Sequence, residues 1–212
     1  MTIELKNVKP RYMSEDEISS SDVYLQHTVL FERNKRYLVK AGSGRGKTSL
    51  LNFIYGSNLN FDGQILYQHS PLRNDALFDL RKTKISYVFQ DLKLFSDLSV
   101  IENIQLKNTI THHKTVEEID ALLDKVRLSS KRERPAKTLS LGQKQRVAVI
   151  RALCQPFAFL LLDEPFSHLD NENSEIMATI IQGELEKQQA GLILTSLGNE
   201  SERFGYDVIL NL

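Results

Sequence analysis

A glycine-rich stretch between a short apolar run and a helical pattern has the clearest chemistry in the sequence. It runs from Ala41 to Thr48 and ends in Gly46, Lys47 and Thr48. Glycines let backbone N–H groups wrap around a phosphate, and the helix that follows points its positive end at the anion. The lysine then reaches phosphate oxygens and the threonine hydroxyl ligates Mg²⁺. The stretch therefore predicts a nucleotide-phosphate loop.

Eight residues of this phosphate loop and the turn after it are predicted to bind the nucleotide: Gly42, Ser43, Gly44, Arg45, Gly46, Lys47, Thr48 and Ser49. Ala41 departs from the motif, because the first position is normally glycine and alanine is disfavoured where φ is positive. We expect Gly42 or a small backbone adjustment to compensate. The alternative is a glycine-rich turn with an unrelated lysine, which the flanking strand and helix patterns disfavour.

A second candidate site is the acidic pair Asp163 and Glu164. The pair follows Phe157 to Leu162, a run that is apolar at every position, as in a strand buried on both faces of a parallel sheet. Carboxylates at the carboxyl end of such a strand face the crevice where α/β proteins bind ligands. Nucleotide hydrolysis needs one carboxylate for the Mg²⁺ shell and another group for the attacking water. Asp163 suits the first task and Glu164 the second.

Periodic patterns predict the elements that position these groups. Apolar and polar residues alternate at the N-terminus, at Ile3, Leu5 and Val8, as in a half-buried strand. Capping-box patterns predict helices that begin at Thr115 and at Ser140. The remaining predicted elements are a strand at Arg36 to Lys40, a helix at Thr48 to Tyr55, and strands at Gly191 to Leu194 and Asp207 to Leu212. Strands that alternate with helices indicate an α/β fold with a mostly parallel sheet.

Composition limits the classes of partner. The chain has 212 residues, with 27 Lys plus Arg and 27 Asp plus Glu, so it lacks the basic surplus of proteins that coat nucleic acid. Cys154 is the single cysteine, which favours a reducing compartment. Residues 1–10 do not resemble a signal peptide. The longest apolar run is far shorter than the ~20 residues needed to span a bilayer, so a membrane connection must come through a partner.

Three further segments complete a family pattern. They are Tyr87 to Asp91 (YVFQD), Leu139 to Arg146 (LSLGQKQR) and Ser167 to Asp170 (SHLD). With the phosphate loop and the acidic pair, they make the chain resemble the ATPase subunit of ATP-binding cassette transporters from end to end. The resemblance implies a P-loop NTPase core with an N-terminal antiparallel β portion and an inserted helical subdomain. We expect one domain over 1–212, with a nucleotide-binding core at 1–90 and 156–212 and a helical signature subdomain at about 91–155.

The resemblance also implies roles in a head-to-tail pair of subunits. The signature segment, Leu139 to Arg146, would close over the γ-phosphate held by a second subunit. Ser140 is predicted to be a helix N-cap with exposed N–H groups after it, which is an anion site in its own right. The implied set at this interface is Ser140, Gly142, Gln143 and Asp170. We expect a homodimer of cassettes.

The remaining implied roles concern the nucleotide and the metal. Tyr12 would stack on the adenine ring, with Tyr24 as the rival aromatic. Gln90 would contact Mg²⁺ or the attacking water and relay the nucleotide state to a membrane permease. The implied metal ligands are Thr48, Gln90 and Asp163, and the implied catalytic residues are Glu164 and Gln90.

Two leucines depart from the family pattern. Leu197 stands where a histidine is normal, and leucine can neither hydrogen-bond a phosphate nor carry a proton. This departure puts fast hydrolysis in question but not binding. Leu141 replaces a signature glycine, while Ser140 and Gly142 remain.

The predicted function is that of a cytoplasmic cassette that binds and hydrolyses ATP with Mg²⁺, dimerises on ATP and powers a separate permease at the inner face of the cell membrane. No nucleic acid is expected as a partner. The segments at Asp91 to Phe95 and Arg134 to Lys137 look most like the subgroup for lipoprotein release, macrolide efflux and cell division. The alternatives are an ATP-gated switch with weak hydrolysis, a non-transport cassette ATPase, and more distantly a small-molecule kinase. His112 and His113 could suggest a metal, but a solvated loop is favoured because no carboxylate or cysteine cluster accompanies them.

Overall fold

The computed structural model describes residues 1–71, 73–197 and 204–212. Its strands are β1 (Thr2–Pro10), β2 (Thr28–Glu32), β3 (Arg36–Lys40), β4 (Phe61–Tyr67), β5 (Ser70–Pro71), β6 (Ile85–Val88), β7 (Phe159–Asp163), β8 (Gly191–Ser196) and β9 (Val208–Asn211). Its α-helices are α1 (Glu15–Ile18), α2 (Lys47–Tyr55), α3 (Leu77–Thr83), α4 (Val100–Thr111), α5 (Val116–Lys125), α6 (Leu141–Leu153) and α7 (Asn171–Gln188). None of the helices within these ranges is long and apolar enough to cross a bilayer.

Two sheets form the frame of the molecule. One is antiparallel, in the order β2-β1-β4-β5, and the other has five parallel strands in the order β6-β7-β8-β3-β9. The predicted α/β class, with an antiparallel portion at the N-terminus, is confirmed. All five residues of β7 are buried, because the strand is flanked by β6 and β8 and its two faces are covered. This explains its continuous apolar sequence.

An irregularity in β1 explains its imperfect alternation. Ile3, Leu5 and Val8 are all buried, although the last two are three residues apart. The pairing of β1 with β4 shifts register between Lys6 and Lys9, and Asn7 has a positive φ of 49°. The extra residue turns Val8 back to the buried face.

The fully described stretch between β6 and β7 contains the helices α4, α5 and α6. The capping boxes predicted at Thr115 and Ser140 are confirmed, because each N-cap hydroxyl accepts from the N3 backbone and each N3 side chain accepts from the N-cap backbone. Ser99 forms a further capping box at the start of α4. This helical run occupies the part of the chain for which an inserted subdomain is expected.

The parallel sheet lies between two apolar cores. Leu160 and Leu162 of β7 point into a core formed with α4 to α7. Phe159 and Leu161 point into the other core, with α2 and the antiparallel sheet. Because successive side chains of a strand face opposite sides, one short strand anchors both cores.

A buried ion pair connects the start of the α5 region to α7. Lys114 Nζ lies 2.6 Å from Glu184 Oε1, with side-chain exposures of 2% and 11%. The backbone of Lys114 is held in place as well, since its N–H donates to Asn108 Oδ1 and its carbonyl accepts from Asn108 Nδ2. The ammonium group is therefore fixed where water cannot replace its partner.

We expect Glu184→Leu to lower the free energy of unfolding by about 3–5 kcal/mol, because it leaves a buried ammonium group without a counter-charge. The double variant Lys114→Met/Glu184→Leu should recover most of that loss, since it removes both charges together. Urea denaturation followed by circular dichroism measures both effects. Equal stability of the single and double variants would contradict a charge-based explanation.

Candidate functional site

The candidate site lies where four parallel strands end at one edge of the sheet. The phosphate loop follows β3, Gln90 follows β6, the Asp163–Glu164 pair ends β7, and Thr195 lies near the end of β8. These strands are parallel, so their carboxyl ends meet at the same edge. The sheet therefore gathers residues that are far apart in sequence.

The phosphate loop has the local geometry that the motif predicts. α2 begins at Lys47, with Gly46 as its N-cap, and Gly44 and Gly46 have φ values of 78° and 86°. These left-handed conformations favour glycine. Ala41 is not among the residues with positive φ, so an alanine at the first position of the motif is not strained.

Lys47 lies inside the concavity of this loop. Its ammonium group donates to the carbonyls of Ala41 at 2.8 Å and Gly42 at 2.9 Å. It also lies 3.3 Å from Glu164 Oε1, and both side chains are largely buried. The ammonium group predicted to meet phosphate is thus neutralised here by the carboxylate predicted to act on water.

The backbone at Glu164 directs that carboxylate. Glu164 has a positive φ of 49°, which is uncommon for a residue with a side chain. Four hydrogen bonds hold it. Its N–H donates to Thr195 O at 3.2 Å, and its carbonyl accepts from Gln145 Nε2 at 3.2 Å, from Ser167 Oγ at 3.1 Å and from Ser167 N at 3.3 Å. Gln145 was not predicted as a site residue, and its position in the signature helix gives no sign of this contact.

Asp163 is a buried carboxylate with one oxygen satisfied and one open. Thr195 Oγ1 donates to Asp163 Oδ1 at 2.6 Å, while Oδ2 has no hydrogen-bond partner in the described part of the chain. Burial raises the pKa of Asp163, and the contacts with Thr195, Thr48 and Lys47 oppose that rise. The sequence alone does not identify Thr195 as a site residue, because only the register of β7 and β8 reveals its position opposite Asp163.

The predicted metal ligands fit a hard divalent cation. Thr48 Oγ1 donates to Gln90 Oε1 at 3.2 Å, and Thr48 is close enough to Asp163 to lower the pKa of its carboxyl. All three supply oxygen atoms, which Mg²⁺ prefers. The open Oδ2 of Asp163 is the kind of buried polar atom that a cation would satisfy.

A cavity of about 190 Å³ lies over the phosphate loop. It is lined by Tyr12, Ser43, Gly44, Gly46, Lys47, Thr48, Ser49, Gln90 and Glu164. Two predicted loop residues do not line it: Gly42 accepts from Lys47, and Arg45 donates to Glu17 O at 3.1 Å.

The two rival tyrosines are in different environments. The ring of Tyr12 is half exposed beside the cavity, and its hydroxyl donates to Ser49 Oγ. Tyr24 is buried, and its hydroxyl donates to Gly46 O at 3.0 Å beneath the loop. Tyr24 supports the loop from below, so only Tyr12 presents a ring on the side of the cavity.

The signature segment is not part of this cavity. Ser140 caps α6 through Gln143, whose backbone N–H donates to Ser140 Oγ at 3.4 Å and whose Oε1 accepts from Ser140 N at 3.1 Å. Neither residue lines the cavity over the phosphate loop of the same chain, and nor does Gly142. A phosphate held by the loop is thus met by a different set of groups than an anion at the start of α6.

Close packing at Gly142 explains why this position carries no side chain. A Cβ atom there would lie 2.7 Å from the carbonyl oxygen of His168. This distance is shorter than real contacts allow, so the first turn of α6 approaches the loop before α7 only because the residue is glycine. The sequence suggested exposed N–H groups at this glycine but not this contact.

The remaining predicted residues lie at the start of α7, directly after β8 and directly after α4. Asp170 caps α7 by accepting from Asn173 N at 2.8 Å, and this backbone hydrogen bond lowers the pKa of its carboxyl. Leu197 directly follows β8 and its side chain is 56% exposed. His112 and His113 follow α4, and the described residues contain no group of three or more His, Cys, Asp or Glu side chains that could hold a metal ion.

A family model described as ABC transporter matches residues 26–167, more than half of the chain. The chain belongs to the ABC transporter family. Tyr12 and Leu197 lie outside the matched stretch. The phosphate loop, Gln90, the signature segment and the acidic pair of this ABC transporter family member all lie inside it.

Two curated relatives are longer proteins. The chain is 35% identical over 172 residues to the spermidine/putrescine import ATP-binding protein PotA of Clostridium acetobutylicum, which covers 79% of the chain and 46% of PotA. It is 30% identical over 186 residues to the macrolide export ATP-binding/permease protein MacB of Pasteurella multocida, which covers 85% of the chain and 28% of MacB. The chain thus spans less than half the length of either relative. The match to MacB is consistent with the resemblance of two sequence segments to the macrolide-efflux subgroup.

The fold of this ABC transporter family member is also that of a solved cassette. The structure described as the dimeric structure of MJ0796, a bacterial ABC transporter cassette, superposes with a TM-score of 0.77 at 24% identity. The match covers 99% of this chain and 94% of that one. At this level of identity the likeness concerns the fold.

We expect Asp163→Asn to stabilise the nucleotide-free protein, because it removes a buried carboxylate with an unpaired oxygen. A gain of about 1 kcal/mol corresponds to a rise of ~2–4 °C in the melting temperature. The raised pKa means that the folded state holds the proton more tightly than the unfolded state, so wild-type stability falls as pH rises above the ordinary value of 3.8. The advantage of the variant should therefore be larger at pH 7 than at pH 4.

Thermal unfolding at both pH values measures this effect, with Asp75→Asn as a control at an exposed carboxylate. A melting temperature that falls at pH 7 in Asp163→Asn would show that the ionised carboxylate stabilises the folded chain.

Proposed function

We propose that the chain is the ATPase cassette of a transporter, which binds ATP with Mg²⁺, dimerises on ATP and drives a separate membrane permease. The observation that carries the proposal is the meeting of Lys47, Asp163 and Glu164 at one end of the parallel sheet. A phosphate loop alone would support binding only. The buried carboxylate and the second acidic group beside it supply what hydrolysis needs.

The proposed division of the chain follows the two kinds of chemistry. Residues 1–90 and 156–212 form the nucleotide-binding core, and residues 91–155 form the helical subdomain with the signature segment. The core carries the phosphate loop and both carboxylates, while the helical part carries the second anion site at Ser140. Ser140 does not line the cavity over the phosphate loop of its own chain, so one nucleotide contacts both parts only if a second copy of the chain supplies Ser140.

Nucleotide binding uses the phosphate loop and Tyr12. Backbone N–H groups of the loop and the N-terminus of α2 receive the phosphates, and Tyr12 stacks on the adenine ring. Thr48, Asp163 and Gln90 would hold Mg²⁺, which would neutralise charge on the phosphates. Thr195 keeps the Asp163 carboxylate in one orientation by its hydrogen bond to Oδ1.

The ion pair between Lys47 and Glu164 couples binding to catalysis. A phosphate that enters the loop competes for the ammonium group of Lys47, so the Glu164 carboxylate is released when the substrate arrives. Glu164 then accepts a proton from the water whose oxygen bonds to the γ-phosphorus. The bond between the γ-phosphorus and the bridging oxygen breaks, and ADP leaves with that oxygen. The loop N–H groups, Lys47 and the signature segment of a second subunit stabilise the developing charge.

Dimerisation follows from the location of the two anion sites. The first residues of α6 do not line the cavity over the phosphate loop of the same chain, and a head-to-tail pair would place the start of each α6 over the other subunit's nucleotide. Ser140, Gly142, Gln143 and Asp170 are the proposed interface residues. In a homodimer, each of two identical chains supplies one phosphate loop and one start of α6, so both anion sites of each chain are used.

The proposed permease contact lies beside Gln90. A cavity of about 600 Å³ adjoins it, with the lining residues Thr48, Asn52, Ser57, Asn58, Tyr87, Phe89, Gln90, Asp91, Lys93 and His168. Gln90 belongs both to this cavity and to the one over the phosphate loop, so it is placed to report the nucleotide state to a docked partner. The cassette would then work at the inner face of the cell membrane.

We expect Glu164→Gln to reduce steady-state phosphate release by about 10²–10⁴-fold, because the amide cannot accept the proton from water. ATP binding should persist, so the variant should accumulate as an ATP-bound dimer. Phosphate release and gel filtration with ATP measure the two effects.

Glu117→Gln provides the control, because Glu117 is an exposed residue in the first turn of α5. Phosphate release by Glu164→Gln at the wild-type rate would rule out Glu164 as the base. An elution volume of a monomer with ATP bound would contradict dimerisation.

A second candidate function is an ATP-gated switch that turns over slowly. Leu197 favours it, because the exposed side chain after β8 supplies no hydrogen-bonding group. Such a protein would bind ATP and dimerise, and it would stay in that state far longer than a working pump.

We expect Leu197→His to raise phosphate release about tenfold or more, since one added hydrogen-bonding group in an active site is worth that much or more. Leu197→Ala removes the leucine without adding an imidazole and should leave the rate unchanged. Fast wild-type turnover that neither variant alters would exclude the slow switch.

A further inference from the structure

A second hydroxyl group, that of Tyr87, lies close to Asp163. Tyr87 is in β6, which pairs with β7 on the side opposite to β8. It is opposite Leu161, two residues before Asp163, and both Tyr87 and Leu161 belong to the core on the α2 side of the sheet. Because alternate side chains of a strand share a face, the side chain of Asp163 is on the same side of the sheet as these two.

The phenol of Tyr87 is close enough to the carboxylate to be affected by its charge. Burial raises the pKa of Tyr87, and the negative charge of Asp163 raises it further. The two side chains are almost fully buried, with exposures of 5% for Tyr87 and 1% for Asp163. Their interaction is therefore only weakly screened by solvent.

Both groups have a hydrogen-bonding atom that is not used. Tyr87 Oη is buried and has no hydrogen-bond partner within the described ranges, and the same is true of Asp163 Oδ2. The other carboxylate oxygen, Oδ1, accepts from Thr195. A phenol can donate to a carboxylate oxygen, and a buried hydroxyl without a partner is costly. An unused donor and an unused acceptor thus lie on neighbouring strands, on one face of the sheet.

Aromatic contacts restrict the position of the Tyr87 ring. Its centroid lies 4.0 Å from that of Phe89 and 5.3 Å from that of Tyr55. A tyrosine side chain has only two torsion angles, so contacts with two other rings leave its hydroxyl little freedom. A small turn of the carboxylate about its hydrogen bond to Thr195 is therefore the movement that would join Tyr87 to Asp163.

Tyr87 also lies near the other proposed metal ligands. It lines the cavity of about 600 Å³ together with Thr48 and Gln90. Carboxylates that ligate metals are themselves hydrogen-bonded by neighbouring groups, which fix their orientation and strengthen metal binding. Thr195 of β8 supplies one such bond to Asp163. Tyr87 is placed to supply another from β6.

We propose that Tyr87 is a positioning residue for Asp163. In the cation-bound protein its hydroxyl donates to the carboxylate, so that hydroxyl groups from β6 and β8 hold this ligand from two sides. The inference rests on the proposed function, because that function assigns Asp163 to the cation. Tyr87 acts through Asp163 and is not itself a ligand.

This role differs from that of an ordinary core tyrosine in what loss of the hydroxyl does. In the cation-free chain the hydroxyl of Tyr87 is buried without a hydrogen bond to any described residue, so its removal costs no such bond. A tyrosine that served only the fold would lose stability with its hydroxyl and leave cation binding unchanged. A positioning residue shows the reverse.

The test uses Mn²⁺ with ADP as the probe and Tyr87→Phe as the variant, which keeps the ring and its contacts. We expect the variant to bind Mn²⁺ about tenfold more weakly at saturating ADP, since partners of a ligating carboxylate contribute that much. Its affinity for ADP in EDTA should equal that of the wild type, and its melting temperature without nucleotide should not fall. Electron paramagnetic resonance measures free Mn²⁺, titration calorimetry measures ADP binding, and circular dichroism measures unfolding.

Tyr55→Phe is the matched control. It removes a hydroxyl from the ring next to Tyr87 and keeps the contact between the two rings. This variant should bind Mn²⁺ as the wild type does.

Four results would overturn the proposal. Equal Mn²⁺ affinity of the wild type and Tyr87→Phe would show that the hydroxyl is not used, and an equal loss in Tyr55→Phe would assign the effect to ring packing. A matching loss of ADP affinity in EDTA would assign Tyr87 to the nucleotide, and a lower melting temperature without nucleotide would assign its hydroxyl to the fold. Neither hydrolysis nor dimerisation is measured, so these results leave both of those proposals intact, and a chain without turnover would leave these results intact.

Discussion

The ion pair between Lys47 and Glu164 is the contact on which the geometry of the site depends. It joins the phosphate loop, which follows β3, to the end of β7, although β8 lies between these two strands in the sheet. Both charges are largely buried, so each needs the other when no phosphate is present. The backbone of Glu164 accepts a positive φ to make this contact, and hydrogen bonds from Gln145, Ser167 and to Thr195 maintain it. The site is thus held ready by charges that a phosphate would redistribute.

The two carboxylates of the site, Asp163 and Glu164, have different partners. Asp163 and Glu164 are neighbours in sequence, yet one oxygen of Asp163 accepts from a hydroxyl whereas Glu164 pairs with an ammonium group. Strand geometry points Asp163 toward β8, whereas the left-handed turn at Glu164 points the next side chain toward the loop. Two adjacent acids can therefore take different tasks because their backbone conformations differ.

Much of the fold could be predicted from sequence because its signals are local. Capping boxes at Thr115 and Ser140, the apolar run of β7 and the glycines of the phosphate loop each depend on a few adjacent residues. Val8 was consistent with β1, but the bulge that places it could not be foreseen. The contacts of Thr195, Gln145 and Tyr24 with the site were also hidden, because they depend on strand register and on packing between distant segments. The close approach at Gly142 belongs to the same class, since no sequence pattern records the distance to His168.

That approach has a consequence for the choice of partner subunit. The start of α6 and the loop before α7 are locked together, so Ser140, Leu141 and Asp170 belong to one surface of fixed shape. In the proposed head-to-tail dimer, a second subunit would meet the exposed leucine and the capping groups at the same time, because neither segment can move without the other. The close packing at Gly142 would then favour a subunit whose surface has a hollow that accepts Leu141.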